Sequence, residues 1–389
     1  KTDPTAQKRA LADIRSGLYH YFRMYTFLRY YKLKTRIFFP GPFANMIDQA
    51  RYVVPFLDCL QEEIKINRST SSLVQHADKV GFDLCFEIMS DEINHKLANL
   101  PQKGNYTIIY VQGDFEKMDT TTGPSQYECL FIPAFRKSFR LTGSRYDDLY
   151  GSMISTVQMA IISPDGVMTG PHGTGSGMEN TNIGEGICND YYQVRTIKIL
   201  HILCRKHKIR FKVLSRRVNG DDSAYVLAVM STNPQVIELF KKLIQMAAEQ
   251  AASECGFIIN EKWRIDENFG LFCQNGYYYN PTLKKIVWFY PATLILNSIM
   301  NPQKQYPKDQ WDRDFRDIDI IEKLDNGRGL PYFKQLVKFV DNGMKYHLFS
   351  HDHDTLLRIL GKYSRYRALQ SLSERFNRQD YNIFDSPSV

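Results

Sequence analysis

The run FKVLSRRVNGDDSAYVLAVM, residues 211–230, sets two β-rich segments, 211–218 and 223–230, on either side of Asn219-Gly220-Asp221-Asp222. Branched and aromatic residues favour a pleated, half-buried surface, and Asn-Gly favours the positive φ of a tight hairpin turn. The expected structure is an antiparallel hairpin carrying two aspartates at its tip. A second β-rich run, YTIIYVQ at 106–112, stops abruptly at Gly113-Asp114, which is the pattern of a buried strand delivering a carboxylate at its end.

The surrounding chain reads as mixed α and β. Residues 5–33, dense in Tyr, Phe and Arg, read as helical and run into an extended basic segment, Lys34-Thr-Arg36-Ile-Phe-Phe-Pro40. Helices are expected near 124–139 and 144–158, and AIISPDGVMTG (160–170) reads as a hairpin about Pro164-Asp165-Gly166. A glycine-rich loop at 170–177 leads into a helix from Glu179 to about Cys204. Asn233-Pro234 supplies an N-cap and an N1 proline for a helix whose apolar stripe runs Val236, Phe240, Leu243, Ala247 and ends before Gly256. FIIN (257–260) and GLFCQNGYYYN (270–280) read as strands, and 331–376 as largely helical. The fold class is α+β.

Lys and Arg outnumber Asp and Glu by 50 to 42 in 389 residues, a net charge of +8 that favours a polyanionic partner. No stretch approaches the eighteen or so consecutive apolar residues of a membrane span, so no membrane partner is expected. Seven cysteines without a Cys-x-x-Cys pair or zinc spacing predict reduced thiols, no disulfide and no structural zinc. The chain begins at Lys1 without a signal-peptide pattern and is expected to be a piece of a longer protein.

Two aspartates brought together from different strand ends, Asp114 and Asp221, with Asp222 beside them, are the donor set that magnesium needs for phosphoryl or nucleotidyl transfer. Singly, each signal also fits a plain surface feature: Gly-Asp-Asp a solvated turn, Gly173-Thr-Gly-Ser-Gly177 a flexible loop, Lys34 and Arg36 a solvated edge strand. The glycine loop is not a P-loop, since no Gly-Lys-Ser/Thr closes it.

Taken in order, KTRIFFP (34–40), DFEKMD (114–119), GSGMENTNIGEGICN (175–189), NGDD (219–222) and FCQNGYYYN (272–280) resemble the motifs of viral RNA-dependent RNA polymerases of the palm type. Ser176-Gly177, Thr181 and Asn189 are similar to the pattern in double-stranded RNA viruses of the picobirnavirus and partitivirus type. The resemblance implies a right hand: fingers over 1–105, palm over 106–130 and 171–295 with an antiparallel sheet flanked by helices, a fingers insertion over 131–170, and a thumb over 296–389. It implies that Asp114, Asp221 and Asp222 hold two Mg2+ ions, for which Mn2+ can substitute. Lys34 and Arg36 would neutralise the triphosphate, and Ser176 and Gly177 would contact the template or nascent base pair. Asp119, with Thr181 and Asn189, would read the ribose 2′-hydroxyl.

The wider viral pattern has an asparagine four residues after the threonine, where this chain has Glu185, so Asn189 is expected to take that part. Lys262 is the candidate proton donor to pyrophosphate, and Tyr277 to Tyr279 either support the primer end or simply pack. Implied partners are an RNA template, a nascent strand, nucleoside triphosphates and a capsid protein; the implied place is the host cytoplasm, inside the virus particle. A reverse transcriptase and an inactive, RNA-binding palm are the competing readings.

Overall fold

The computed structural model describes residues 4–17, 23–31, 34–39, 41–67, 73, 82–100, 105–175, 178, 180–260 and 263–300, then 320, 323–324, 327, 330 and 332–343. The strands in these stretches are β1 (Met24–Tyr25), β2 (Phe27–Tyr31), β3 (Lys34–Phe38), β4 (Thr107–Gly113), β5 (Ile161–Ser163), β6 (Gly166–Met168), β7 (Phe211–Asn219), β8 (Asp222–Val229) and β9 (Arg264–Asp266), followed by β10 (Gly270–Phe272), β11 (Asn275–Asn280) and β12 (Lys285–Phe289). The chain divides into two compact units. One holds Lys1–Arg29, Thr35–Cys273 and Tyr278–Ile286; the other holds Tyr30–Lys34, Gln274–Tyr277 and Val287–Val389.

The first unit is built on an antiparallel four-stranded sheet in the order β7-β8-β4-β9. β7 and β8 pair from Phe211↔Val229 to Asn219↔Asp222, with an irregularity between Val213 and Ser215, and β4 lies along β8 from Thr107↔Val229 to Gly113↔Ser223. β8 is buried along almost its whole length, so both faces of the sheet are covered. On one face lie the helices Thr181–Lys206 and Pro234–Cys255, closing a core of Ile109, Val111, Tyr192, Tyr225, Phe240 and Ile244. Ala247, Ala248, Ala251 and Ala252 are all buried in that core, where small side chains allow close helix packing. Towards the other face, the helix Phe82–Ala98 directs Glu92 at β7, where it accepts from Ser215 Oγ (2.7 Å) and pairs with Arg217 (3.2 Å).

The Pro234–Cys255 helix starts and stops where its sequence predicts: Asn233 Oδ1 accepts from the Gln235 amide at 2.9 Å, and Gly256 closes the helix at φ +75°. A second core in the same unit joins Val53 and Leu57 to Tyr127, Phe131, Phe135, Leu149 and Met153. Its rings form a chain from Tyr127 through Phe131 to Phe135, with centroids 5.0 and 4.8 Å apart. In the second unit, the helix Phe333–Gly343 buries Phe333, Leu336, Val337 and Val340, a single apolar face. No described helix is long and apolar enough to cross a membrane.

Three expectations are corrected. The helix expected over 5–33 ends at Ser16; Gly17 takes φ +73°, and the aromatic stretch beyond Arg23 forms β1 and β2, because Tyr and Phe favour strands more than helices. FIIN (257–260) makes only a single bridge, Phe115↔Ile259, and not a strand. The run 270–280 is two strands, β10 and β11, broken at Cys273 and Gln274, which both adopt positive φ. Of the helix expected over 331–376, Phe333–Gly343 is seen, and residues beyond 343 lie outside those described.

Candidate active site

The register of the sheet carries the acidic residues to one end. Gly113, the last residue of β4, pairs with Ser223, and the β7–β8 turn at Gly220-Asp221 closes immediately alongside, so Asp114 emerges level with Asp222. Gly113 makes room for its neighbour: a Cβ there would run into Ser223 Oγ across the strand pair unless that side chain moved. Gly220 carries φ +61°, which lets a two-residue turn present Asp221 at its tip. Asp119 follows on a short helical turn, Met118–Thr121, with its Oδ1 accepting from the Thr120 amide at 2.9 Å.

These carboxylates feel one another. Asp221 presents surface to solvent, yet the protein packed round its carboxyl limits hydration there; this burial raises its pKa above the ordinary range, and the charges of Asp114 and Asp119 raise it further. Glu185 is pushed well above the usual carboxylate range, first by burial and then by Asp221 and Asp119. A buried acid held in the field of two others is a place where a cation is favoured, and the donor set is all oxygen. Among the described residues no three His, Cys, Asp or Glu side chains form a ready-made metal cage. The arrangement therefore fits a hard cation that takes one or two carboxylates and completes its shell from water and substrate phosphate.

The helix Thr181–Lys206 turns a polar ridge, Thr181, Glu185, Asn189 and Gln193 at intervals of four, towards this end of the sheet. Thr181 Oγ1 donates to the Gly175 carbonyl (2.6 Å), fastening the glycine loop to the start of the helix. Asn189 Nδ2 donates to the carbonyls of Gly220 and Asp221, both at 3.0 Å. Gln193 Nε2 donates to the Arg217 carbonyl at 3.2 Å. Asn189 is fully buried and both its protons go to the turn, so its side chain fixes the backbone that carries Asp221 instead of facing a sugar. Its spacing in the sequence pointed to the right helix face but not to this task. Asn182 was not singled out from the sequence, yet its Oδ1 lies beside Gly220, 2.9 Å from where a Cβ would be; the signal was its place one residue after Thr181 on the same turn of helix.

Lys34 and Arg36 lie on β3, with side chains outside the described residues, as are Ser176, Gly177 and Lys262. Tyr279 is packed in the interior: its amide donates to Tyr110 Oη (2.8 Å) and its hydroxyl to Asn94 Oδ1 (2.6 Å).

No family model and no curated protein matches this sequence. Among solved structures, the chain has the α+β fold of viral RNA-dependent RNA polymerases. The RNA-dependent RNA polymerase of a human picobirnavirus matches it with a TM-score of 0.65 and 17% identity, over 91% of this chain and 66% of that one. The insertion loop deletion mutant of a human picobirnavirus polymerase matches with a TM-score of 0.63 and 17% identity, over 91% of this chain and 64% of the other. This chain thus spans just under two thirds of the length of the structures it matches, and at this identity the likeness is one of fold.

Proposed function

We propose that the chain is the catalytic part of an RNA-directed RNA polymerase of a double-stranded RNA virus, replicating and transcribing the viral genome by two-metal nucleotidyl transfer. One observation carries the reading: paired strands bring Asp114, Asp221 and Asp222 to the same end of a sheet, in a chain with the fold of viral polymerases. The oxygen-only donor set suits Mg2+, with Mn2+ able to substitute. Bound there, two such ions would activate the attacking 3′-hydroxyl and neutralise the leaving pyrophosphate.

The chain's own residues supply position and selection. Asp119 and Thr181 hold the ribose 2′-hydroxyl, and a site built to bond that hydroxyl rejects a sugar lacking it. Lys34 and Arg36 grip the triphosphate, Ser176 and Gly177 meet the template or nascent base pair, and Lys262 gives a proton to pyrophosphate. Asn189 serves the turn. In this reading residues 1–105 and 131–170 are fingers, 106–130 and 171–295 palm, and 296–389 thumb. The partners are template and nascent RNA, nucleoside triphosphates and a capsid protein, and the setting is a virus particle in the host cytoplasm.

The test is extension of a primed RNA template with Mg2+, comparing ribonucleotides with deoxyribonucleotides and the native chain with Asp221→Asn. Ribonucleotide-selective extension, lost in Asp221→Asn, is expected. Equal use of deoxyribonucleotides would transfer the chain to the reverse transcriptases. Binding of RNA without extension would make it an inactive, RNA-binding palm.

A further inference from the structure

At the end of the sheet opposite the aspartates, the helix Thr181–Lys206 runs into β7 through KILHILCRKHKIRFK, residues 198–212, which holds six Lys or Arg, two His and no acidic residue. Eight residues of β7 separate this end from the turn, roughly 25 Å of strand. The segment lines an open cleft of about 510 Å3. It is lined by Cys204, Ile209, the stacked rings of His201 and Phe211, with centroids 4.4 Å apart, and the basic residues Arg205, Lys208 and Arg210. These three basic residues and His201 are exposed, and none of them pairs with a carboxylate among the described residues. Cations in the last turn of a helix complement its dipole, but Arg205 and Lys206 already do that, and the dipole does not account for the cations that follow.

We propose that this cleft is a second RNA site, taking a single strand outside the catalytic centre, with phosphates on Arg205, Lys208 and Arg210 and a base on the exposed face of His201. A concave, cationic surface lined in part by aromatic rings is the chemistry of sequence-tolerant single-strand binding: backbone charge is neutralised and a base stacks. A bilayer would call for a flat or protruding basic surface with apolar anchors instead. The choice of RNA among polyanions rests on the polymerase reading; the anion site itself rests on the charge and shape of the cleft.

The experiment compares the native chain with Arg205→Gln/Lys208→Gln/Arg210→Gln, all exposed positions, by fluorescence anisotropy on a long single-stranded RNA across a salt series. Cross-linking of 4-thiouridine RNA and extension on a short primed template accompany it. Loss of three phosphate contacts lowers the slope of log K against log salt by about 2 and weakens binding on the order of 100-fold at about 0.1 M salt, while short-template extension stays intact. Cross-links in 198–212 that vanish in the variant complete the expected result. Unchanged slope and cross-links elsewhere would overturn the proposal, as would binding of anionic vesicles through this segment with no RNA cross-link. If the native chain extends no primer yet keeps the segment-dependent RNA binding, the polymerase reading fails and this site stands.

Discussion

Asn189→Ala removes the two hydrogen bonds by which one helix holds the aspartate-bearing turn. The carboxamide orientation is fixed by its neighbours, since only Nδ2 can donate to two carbonyls, while Oδ1 is buried with no hydrogen-bond partner among the described residues. The Gly220 carbonyl is buried and would be left unpaired, a loss of about 1–3 kcal/mol, whereas the partly exposed Asp221 carbonyl regains water and loses about 0.5–1.5 kcal/mol. Together these predict destabilisation of about 1.5–4.5 kcal/mol in denaturant unfolding. Releasing the turn by about 1 Å costs on the order of 100-fold in the chemical step. Because Asn189 has no exposed surface, KM for the nucleotide and the ribonucleotide preference should not move with kcat. Asn189→Asp, which keeps the shape but sets an acceptor against two carbonyls and a charge beside Asp221, should be worse than Asn189→Ala. Single-turnover extension with both sugar types decides it. Lost ribose selectivity at unchanged kcat would refute the latch and restore Asn189 to the sugar.

Three further outcomes follow from the same geometry. Glu185 has its pKa raised in the folded state, so between its ordinary and raised values the folded chain holds a proton the unfolded chain has lost; stability falls as pH rises through that window by up to about 1.4 kcal/mol per pH unit. Glu185→Gln should flatten that slope in unfolding curves taken from mildly acidic to mildly alkaline pH, and parallel slopes would contradict it. Gly113→Ala should destabilise by about 1–3 kcal/mol through overpacking against Ser223 Oγ, and adding Ser223→Ala should recover much of the loss in thermal unfolding. Glu92→Ala leaves the nearly buried Arg217 guanidinium without its carboxylate and should cost about 3–5 kcal/mol, far more than removal of the exposed Glu254 from its pair with Arg195.

The parts of the fold legible in the sequence are those where one local signal meets no competitor. The 211–230 hairpin has apolar strands, a glycine at its turn and no alternative use for its residues, and the Asn233 cap with Gly256 brackets a helix whose apolar stripe is unbroken. Residues 5–33 failed for the converse reason. Their Tyr and Phe residues fit a helix stripe and a strand equally, and the break is made by Gly17, a single residue whose positive φ the sequence permits but does not demand. The same limit applies at Cys273 and Gln274, where two residues with no turn propensity adopt positive φ and split an apparently continuous run into two strands.

For the site, the acids were legible because each ends an apolar strand, but their convergence depends on register: Gly113↔Ser223 is a long-range pairing that no local pattern specifies. The helix ridge shows the limit more sharply. Thr181, Glu185, Asn189 and Gln193 are spaced four apart, so a shared face could be read from the sequence alone. What that face meets could not be read, and it decides the chemistry. Thr181 bonds the Gly175 carbonyl, Asn189 and Gln193 take up backbone carbonyls of the hairpin, and Glu185 is left in the field of Asp221 and Asp119. An asparagine at position 185 would carry no titratable proton, whereas Glu185 carries one whose release is opposed first by burial and then by the charges of Asp221 and Asp119.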